Sequence, residues 1–325
     1  MRFPGFLGNS GLKARLSAAG DRGALSHCYI LEGPQGSGKK TLARILAAAM
    51  ECESTQGETP CGVCPACRKV LGGTHPDVIT VDSDTATVPI RLIREMQQDA
   101  YIRPNEGRRK VYLIPRAQAI QRSSQNVLLK LLEEPPGYCA FLLMAENAEQ
   151  LLPTVRSRAV TLTLSPLADR ELHQALAQQV PDASPEALAA AAEESQGYLG
   201  QALAALEGPE SPVSQQASQF IAAYAKGDEL GAYQVLLSLG NKRAELLSLL
   251  TRLYQSFARA VVPGTGFRSK DLQLLTSSAS EQQLYSSAQA ISHGIQMLRA
   301  NGHCGLVSGA LLTELWFPVN QSERR

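Results

Sequence analysis

Two groups of residues in this sequence are spaced for chemistry. The first is Gly33-Pro34-Gln35-Gly36-Ser37-Gly38-Lys39-Lys40-Thr41. An apolar run, Cys28-Tyr29-Ile30-Leu31, leads into it, and a helical pattern, Leu42-Ala43-Arg44-Ile45-Leu46-Ala47, leads out. Strand, glycine turn, lysine and helix are the parts of a phosphate-binding loop. Glycines let backbone N–H groups curl around phosphate oxygens, and the helix N-terminus and the lysine add positive charge. A magnesium nucleotide also needs a hydroxyl directly after the lysine. Lys40 stands in that place. Thr41 comes one residue late, and one residue turns a helical side chain by about 100°. Gly33, Gly36, Gly38, Lys39, Lys40 and Thr41 therefore form a degenerate nucleotide site. They could hold ATP without hydrolysing it, or merely preserve a turn in the fold.

The second group is Cys52, Cys61, Cys64 and Cys67, four of the seven cysteines, within sixteen residues. In a chain that is not secreted, such a cluster binds metal more often than it forms disulfides. Zn²⁺ takes four thiolates tetrahedrally, and four sulfurs leave no open position for water, so the expected zinc is structural. Gly57, Pro60, Gly62 and Pro65 give the loops that can wrap an ion. His75 is not needed to complete the set and reads as a surface or packing histidine. Cys28, Cys139 and Cys304 read as small buried hydrophobes.

The elements that must carry these groups follow from periodicity. Residues 5–24 read as an amphipathic helix with Leu7, Leu12 and Leu16 on one face, and Arg68–Leu71 as a short helix. Asp77–Asp82, Lys110–Ile114, Ala140–Met144 and Val160–Leu164 join the run before Gly33 as apolar strands. Helices are expected over Ile90–Tyr101 and Ser123–Glu134, the second stopped by Pro135-Pro136. Apolar strands alternating with helices predict a parallel α/β sheet covered on both faces.

After Pro166 the strands cease. A helical domain is expected over 167–208, then the Pro/Gly-rich linker Glu207–Pro212, then helices to 325. Leu246, Leu249, Leu250 and Leu253 fall at i, i+3, i+4 and i+7, one helical face. Trp316 reads as packing, and the tail 321–325 as frayed. The 325 residues carry a net charge of +1, so no strong field draws the chain onto nucleic acid or an acidic membrane. No apolar stretch approaches the roughly 20 residues of a membrane span. Nothing in Met1-Arg2-Phe3-Pro4-Gly5 resembles a signal peptide, and a soluble, cytoplasmic protein is expected.

Taken in order, the glycine loop, the cysteine spacing, Lys110–Ile114, the run Asn126-Val127-Leu128-Leu129-Lys130-Leu131-Leu132-Glu133-Glu134-Pro135-Pro136, and Ser157-Arg158 resemble bacterial DNA polymerase III clamp-loader subunits. The resemblance is strong over 5–166 and loose beyond 207. It implies an AAA+ P-loop domain over 1–166 with an inserted zinc module (52–67), a helical lid over 167–208, and a C-terminal collar over 209–325 that oligomerises. Partners implied are the gamma/tau motor subunits and the delta subunit, with the sliding clamp and primer–template DNA reached through the complex.

Within that family the departures point to the non-motor, delta-prime kind. The motor follows the strand matching Val111–Ile114 with Asp-Glu, which hold magnesium and orient the attacking water. Here Pro115-Arg116-Ala117-Gln118 follow. Loss of a general base alone costs about 10²–10⁴ in rate. The motor's lid arginine is matched by Gly200, and its threonines after the third strand by Ala145-Glu146. The isolated chain is expected to hydrolyse ATP negligibly. What is retained is Arg158, which in the family projects into the neighbouring subunit's ATP site as an arginine finger, an effect worth about 10³–10⁵ in rate for such arginines generally.

Two other readings compete. In one the chain is an active clamp-loader ATPase that uses Glu146 or Asp82 in place of the lost pair. In the other it is a stand-alone zinc-bearing nucleic-acid module, which the near-neutral charge opposes; the basic run Arg103, Arg108, Arg109 and Lys110 could contact phosphates but reads as a solvated loop. Glu133-Glu134, at a helix end, read as capping the helix or orienting a subunit contact.

Overall fold

The fold is that of a computed structural model describing residues 1–54, 58–83, 85, 87–207, 212–261 and 269–316. Gly57, most of the expected linker and the expected frayed tail lie outside the described residues. Two compact units emerge: Met1–Glu171 with Tyr198–Gly200, and Leu172–Gly197 with Gln201–Arg325.

The first unit runs α1 (Ser10–Asp21), β1 (Cys28–Glu32), α2 (Lys39–Glu51), α3 (Pro65–Leu71), β2 (Val78–Thr80), α4 (Ile90–Ala100), β3 (Lys110–Ile114), α5 (Arg122–Glu133), β4 (Cys139–Ala145), α6 (Pro153–Arg156) and β5 (Val160–Thr163). Its strands form one sheet in the order β2-β3-β4-β1-β5, and every pairing is parallel. Every residue of β3 and β4 is buried, as are the first four of β1. That is why these strands read as continuous apolar runs rather than alternating ones. Alternation decides the face instead. Tyr29, Leu31, Val111, Leu113, Leu142 and Met144 join Leu42, Ile45 and Leu46 of α2 in one core. Cys28, Ile30, Tyr112, Ile114, Phe141 and Leu143 join Ile93 of α4 and Leu128 and Leu131 of α5 in the other. The Tyr112 and Phe141 rings stack at 5.4 Å on this second face. The edge strands β2 and β5 are short and partly exposed.

Three elements differ from the sequence reading by more than one residue at an end. The expected helix over 5–24 starts only at Ser10, because Gly5, Gly8 and Asn9 have left-handed backbone. The expected strand over 77–82 is reduced to Val78–Thr80, with the Asp77 carbonyl and the Val81 N–H still bonded to β3 on either side (2.8 Å each). Helix α3 begins at Pro65, earlier than Arg68, with the Cys64 sulfur accepting the Cys67 N–H as its cap.

The second unit is helical: α7 (Asp169–Gln179), α8 (Pro185–Glu194), α9 (Leu199–Glu207), α10 (Pro212–Ala225), α11 (Glu229–Ser238), α12 (Arg243–Val261), α13 (Lys270–Ser278), α14 (Glu281–Arg299) and α15 (Cys304–Trp316). The ends of α7 and α9 belong to the first unit. Leu246, Leu249, Leu250 and Leu253 are all buried on one face of α12, as their spacing requires. Trp316 packs edge-on against Tyr224. Arg259 of α12 donates to the Glu193 carbonyl at the end of α8 (3.0 Å), which ties the two helices together.

Candidate functional site

The glycine loop sits between the C-terminal end of β1 and the start of α2. Gly36 (φ +77°) and Gly38 (φ +93°) have the left-handed backbone that only glycine adopts readily, which explains their place in the loop. Gly38 is also the N-cap of α2, so Lys39, Lys40 and Thr41 form its first turn. The loop is turned inward. The Lys39 ammonium donates to the carbonyls of Gly33 and Pro34, the latter at 2.7 Å. Burial lowers the Lys39 pKa, and the nearby Glu146 carboxylate opposes that shift. Lys40 is exposed. Two further groups close on the loop. The Gly200 N–H donates to the Gly36 carbonyl (3.0 Å), and Phe6, 4% exposed, packs 3.3 Å from where a Gly38 Cβ would stand.

Beyond β3 come Pro115 and Arg116, where the resemblance would place an acid pair in a motor subunit. Arg116 donates to the Asp82 carboxylate (2.8 and 3.0 Å) and to the carbonyls of Ser83 and Thr85. Asp82 is thereby paired with a cation. The Glu32 carboxylate, at the end of β1, accepts from the Ala148 N–H (2.8 Å) and the Thr163 hydroxyl (2.9 Å).

Arg158 lies at the opposite end of the sheet. Val160 is level with Tyr29 in the parallel register. Four residues of strand, about 13 Å at about 3.3 Å each, separate that level from Gly33. Arg158 precedes Val160, so it lies farther still from its own loop. Its Nη2 meets the Glu133 carboxylate at 2.5 Å, and its Nη1 donates to the Thr154 carbonyl (2.8 Å) and the Ser157 hydroxyl (3.3 Å).

Cys52, Cys61, Cys64 and Cys67 converge with all four sulfurs within 4.8 Å of one another. Tetrahedral zinc with sulfur at about 2.3 Å needs sulfurs about 3.8 Å apart, and Cys61 and Cys67 are 4.0 Å apart. Backbone N–H groups of Cys61, Cys64 and Cys67 point at the sulfurs of Cys52, Cys61 and Cys64 at 3.3–3.5 Å. The N–H groups of Cys64 and Val63 lower the Cys61 thiol to about 6, whereas burial and the neighbouring sulfurs raise Cys67. Four thiolates this close repel one another until a cation joins them, so the donor set fits a soft divalent metal.

Sequence reading missed a pair of buried carboxylates. Asp77 accepts the N–H groups of Asn105, Glu106 and Gly107 (2.6–2.9 Å), and Glu51 accepts those of Arg108 and Arg109 (2.8 and 3.0 Å). Five consecutive N–H groups thus end on two side chains. Burial alone would raise the Asp77 carboxyl, but the three N–H donors hold it below its usual range. Burial pushes Glu51 up to about 7 despite its two donors. His75, expected at the surface or in packing, is 5% exposed, and its Nδ1 accepts the Asp77 N–H. The basic run is not one surface, because Lys110 turns inward to Asp99 (2.9 Å) and is 5% exposed. The only available signal for the carboxylate pair was acids at the ends of apolar runs.

Residues 8–168 match the family described as DNA polymerase III, delta subunit. DNA polymerase III subunit delta' of Pseudomonas aeruginosa is 36% identical over 178 residues, 54% of either chain. Subunit tau of Escherichia coli is 36% identical over 154 residues, 47% of this chain and 24% of tau. The chain thus spans about half or less of the curated relatives it matches. A DNA polymerase III gamma subunit-related protein of Thermotoga maritima superposes with a TM-score of 0.41 and 17% identity, covering 94% of this chain and 98% of that one. The doubly covered parallel sheet with a glycine loop after β1, followed by helices, has the AAA+ organisation that the resemblance implied. Residues 8–168 belong to the family described as DNA polymerase III, delta subunit, and that stretch is related to the DNA polymerase III subunits delta', gamma and tau.

Proposed function

We propose that this chain is a non-motor, delta-prime-like subunit of a DNA polymerase III clamp loader. It scaffolds a ring of gamma/tau ATPase subunits together with a delta subunit, and supplies Arg158 in trans. The assembly loads a sliding clamp onto primer–template DNA in the cytoplasm. Residues 167–208 act as the lid and 209–325 as the collar. Cys52, Cys61, Cys64 and Cys67 would hold a structural Zn²⁺, which fixes the loops around them and takes no part in chemistry.

One observation carries the reading: the loop is closed by its own chain, while Arg158 stands at the sheet's other end. Lys39, which should meet phosphate, donates instead to Gly33 and Pro34. The Gly200 backbone occupies the place of the motor's lid arginine and touches Gly36. In this arrangement the loop serves as a structural turn and turns over no ATP. An arginine more than about 13 Å along the sheet from its own loop has no substrate in this chain and suits a neighbour's phosphate. The competing reading, an ATPase using Asp82 or Glu146, is disfavoured because Asp82 is paired with Arg116 and Glu146 interacts with Lys39.

The test has two parts. The purified chain should release no phosphate from magnesium–ATP above background. The same chain, reconstituted with the gamma/tau and delta subunits of its organism, should support ATP turnover that Arg158→Ala slows. Turnover by the isolated chain that Lys39→Ala abolishes would return the function to an active ATPase.

A further inference from the structure

Arg158 is a long cation on the surface, yet it is not free to move. Three acceptors engage its two terminal nitrogens: the Glu133 carboxylate on Nη2, and the Thr154 carbonyl and Ser157 hydroxyl on Nη1. These are the nitrogens whose parallel N–H groups grip a phosphate bidentately. Thr154 and Ser157 are near neighbours in sequence, and their contacts follow from the turn after α6. Glu133 is different. It comes from the last residue of α5, twenty-five positions earlier, and reaches Arg158 across the surface. A carboxylate at a helix C-terminus opposes the helix dipole, so helix stability gives no reason for an acid there. The partner cation does: carboxylate and helix end together make a negative seat for one guanidinium.

We propose that Glu133 is the positioning residue for Arg158, holding the guanidinium on its own subunit until a neighbour's phosphate displaces the carboxylate. This rests on the reading that Arg158 serves a neighbouring ATP site. A carboxylate and a phosphate cannot both take the same Nη2 N–H, so every productive engagement first breaks the Glu133 contact. Glu133 thereby sets how strongly charged the phosphate must be before the arginine transfers to it.

The experiment uses the complex reconstituted with the gamma/tau and delta subunits, comparing wild type, Glu133→Gln, Arg158→Ala and the double variant. ATP turnover is followed over a range of ATP concentrations. Gln keeps the length of Glu and removes its charge. Glu133→Gln should raise kcat/KM for ATP by up to about fivefold, the range that one exposed ion pair supplies. Arg158→Ala should lower it, and the double variant should match Arg158→Ala alone, because Glu133 acts only through Arg158. A general structural role for Glu133 would give the same change in both backgrounds, and that result overturns the proposal. So does an unchanged or lowered kcat/KM in Glu133→Gln while Arg158→Ala remains slow; the finger reading then stands without its latch. An unaltered rate in Arg158→Ala removes the finger reading itself, and the latch with it.

Discussion

Gly200→Ala tests whether the glycine loop is closed from above, because it adds a single methyl group where there is no room. An added Cβ would stand 2.7 Å from the Gly36 Cα, 2.8 Å from its carbonyl oxygen and 3.2 Å from its carbonyl carbon. All three are backbone atoms, so no side chain can swing aside. Gly200 is not among the glycines with left-handed backbone, so the penalty is one of space and not of torsion. Overpacking of this kind costs about 1–3 kcal/mol. Displacement also weakens the 3.0 Å bond from the Gly200 N–H to the Gly36 carbonyl, a further loss of about 0.5–1.5 kcal/mol. Alanine's better helix propensity in α9 returns up to about 1 kcal/mol. With mid-range values the net is a destabilisation of about 2.5 kcal/mol. For a unit of this size each kcal/mol moves Tm by about 2–4 °C. Calorimetry on the full chain should therefore show the first unit melting at least about 2 °C lower. Gly11→Ala is the matched control: it lies in α1, and nothing stands within 4 Å of an added Cβ. It should be neutral or slightly stabilising. If Gly200→Ala melts like wild type or like Gly11→Ala, the loop is not covered as described and the argument for a closed site fails.

Two further predictions concern a buried carboxylate and the cysteines. Asp77→Asn keeps the shape but removes the charge that three N–H groups share, so it should cost about 1–3 kcal/mol at neutral pH. Because the folded pKa of Asp77 is depressed, its contribution is fully present above the unfolded value of about 3.9 and is lost as pH falls through the lower folded value. Urea melts of the two proteins should therefore differ most at neutral pH and converge in acid; a gap that widens in acid would contradict the assignment. The cysteine cluster predicts about one zinc per chain by elemental analysis, as four thiolates imply. Cys64→Ser should abolish that zinc, and a strong chelator should lower Tm. Full metal content in Cys64→Ser would remove that residue from the ligand set.

Much of the first unit was legible because its buried strands are apolar throughout and its helices keep a 3.6-residue period. Lys110–Ile114 appears in the fold with the bounds its pattern predicts, and the cysteines meet in space because their spacing leaves them little choice. The glycine loop was legible as a turn for the same local reason, since Gly36 and Gly38 need backbone that other residues avoid. The edges were less clear. The strand expected over 77–82 keeps its ladder bonds to β3 only from Asp77 to Val81, at the edge of the sheet, and an apolar run carries no sign of where the Asp77 carboxylate points.

What the sequence determined by itself was therefore local: which segments are strands or helices, where the glycines turn, and which residue types stand in the glycine loop. What only the tertiary structure decided was which charges meet. Asp82 with Arg116, Glu133 with Arg158, and Asp77 and Glu51 with five successive N–H groups are separated by 25 to 58 positions in the chain. Charge attracts through space with little regard for sequence separation, so no window on the sequence contains these pairs until the sheet has brought their elements together.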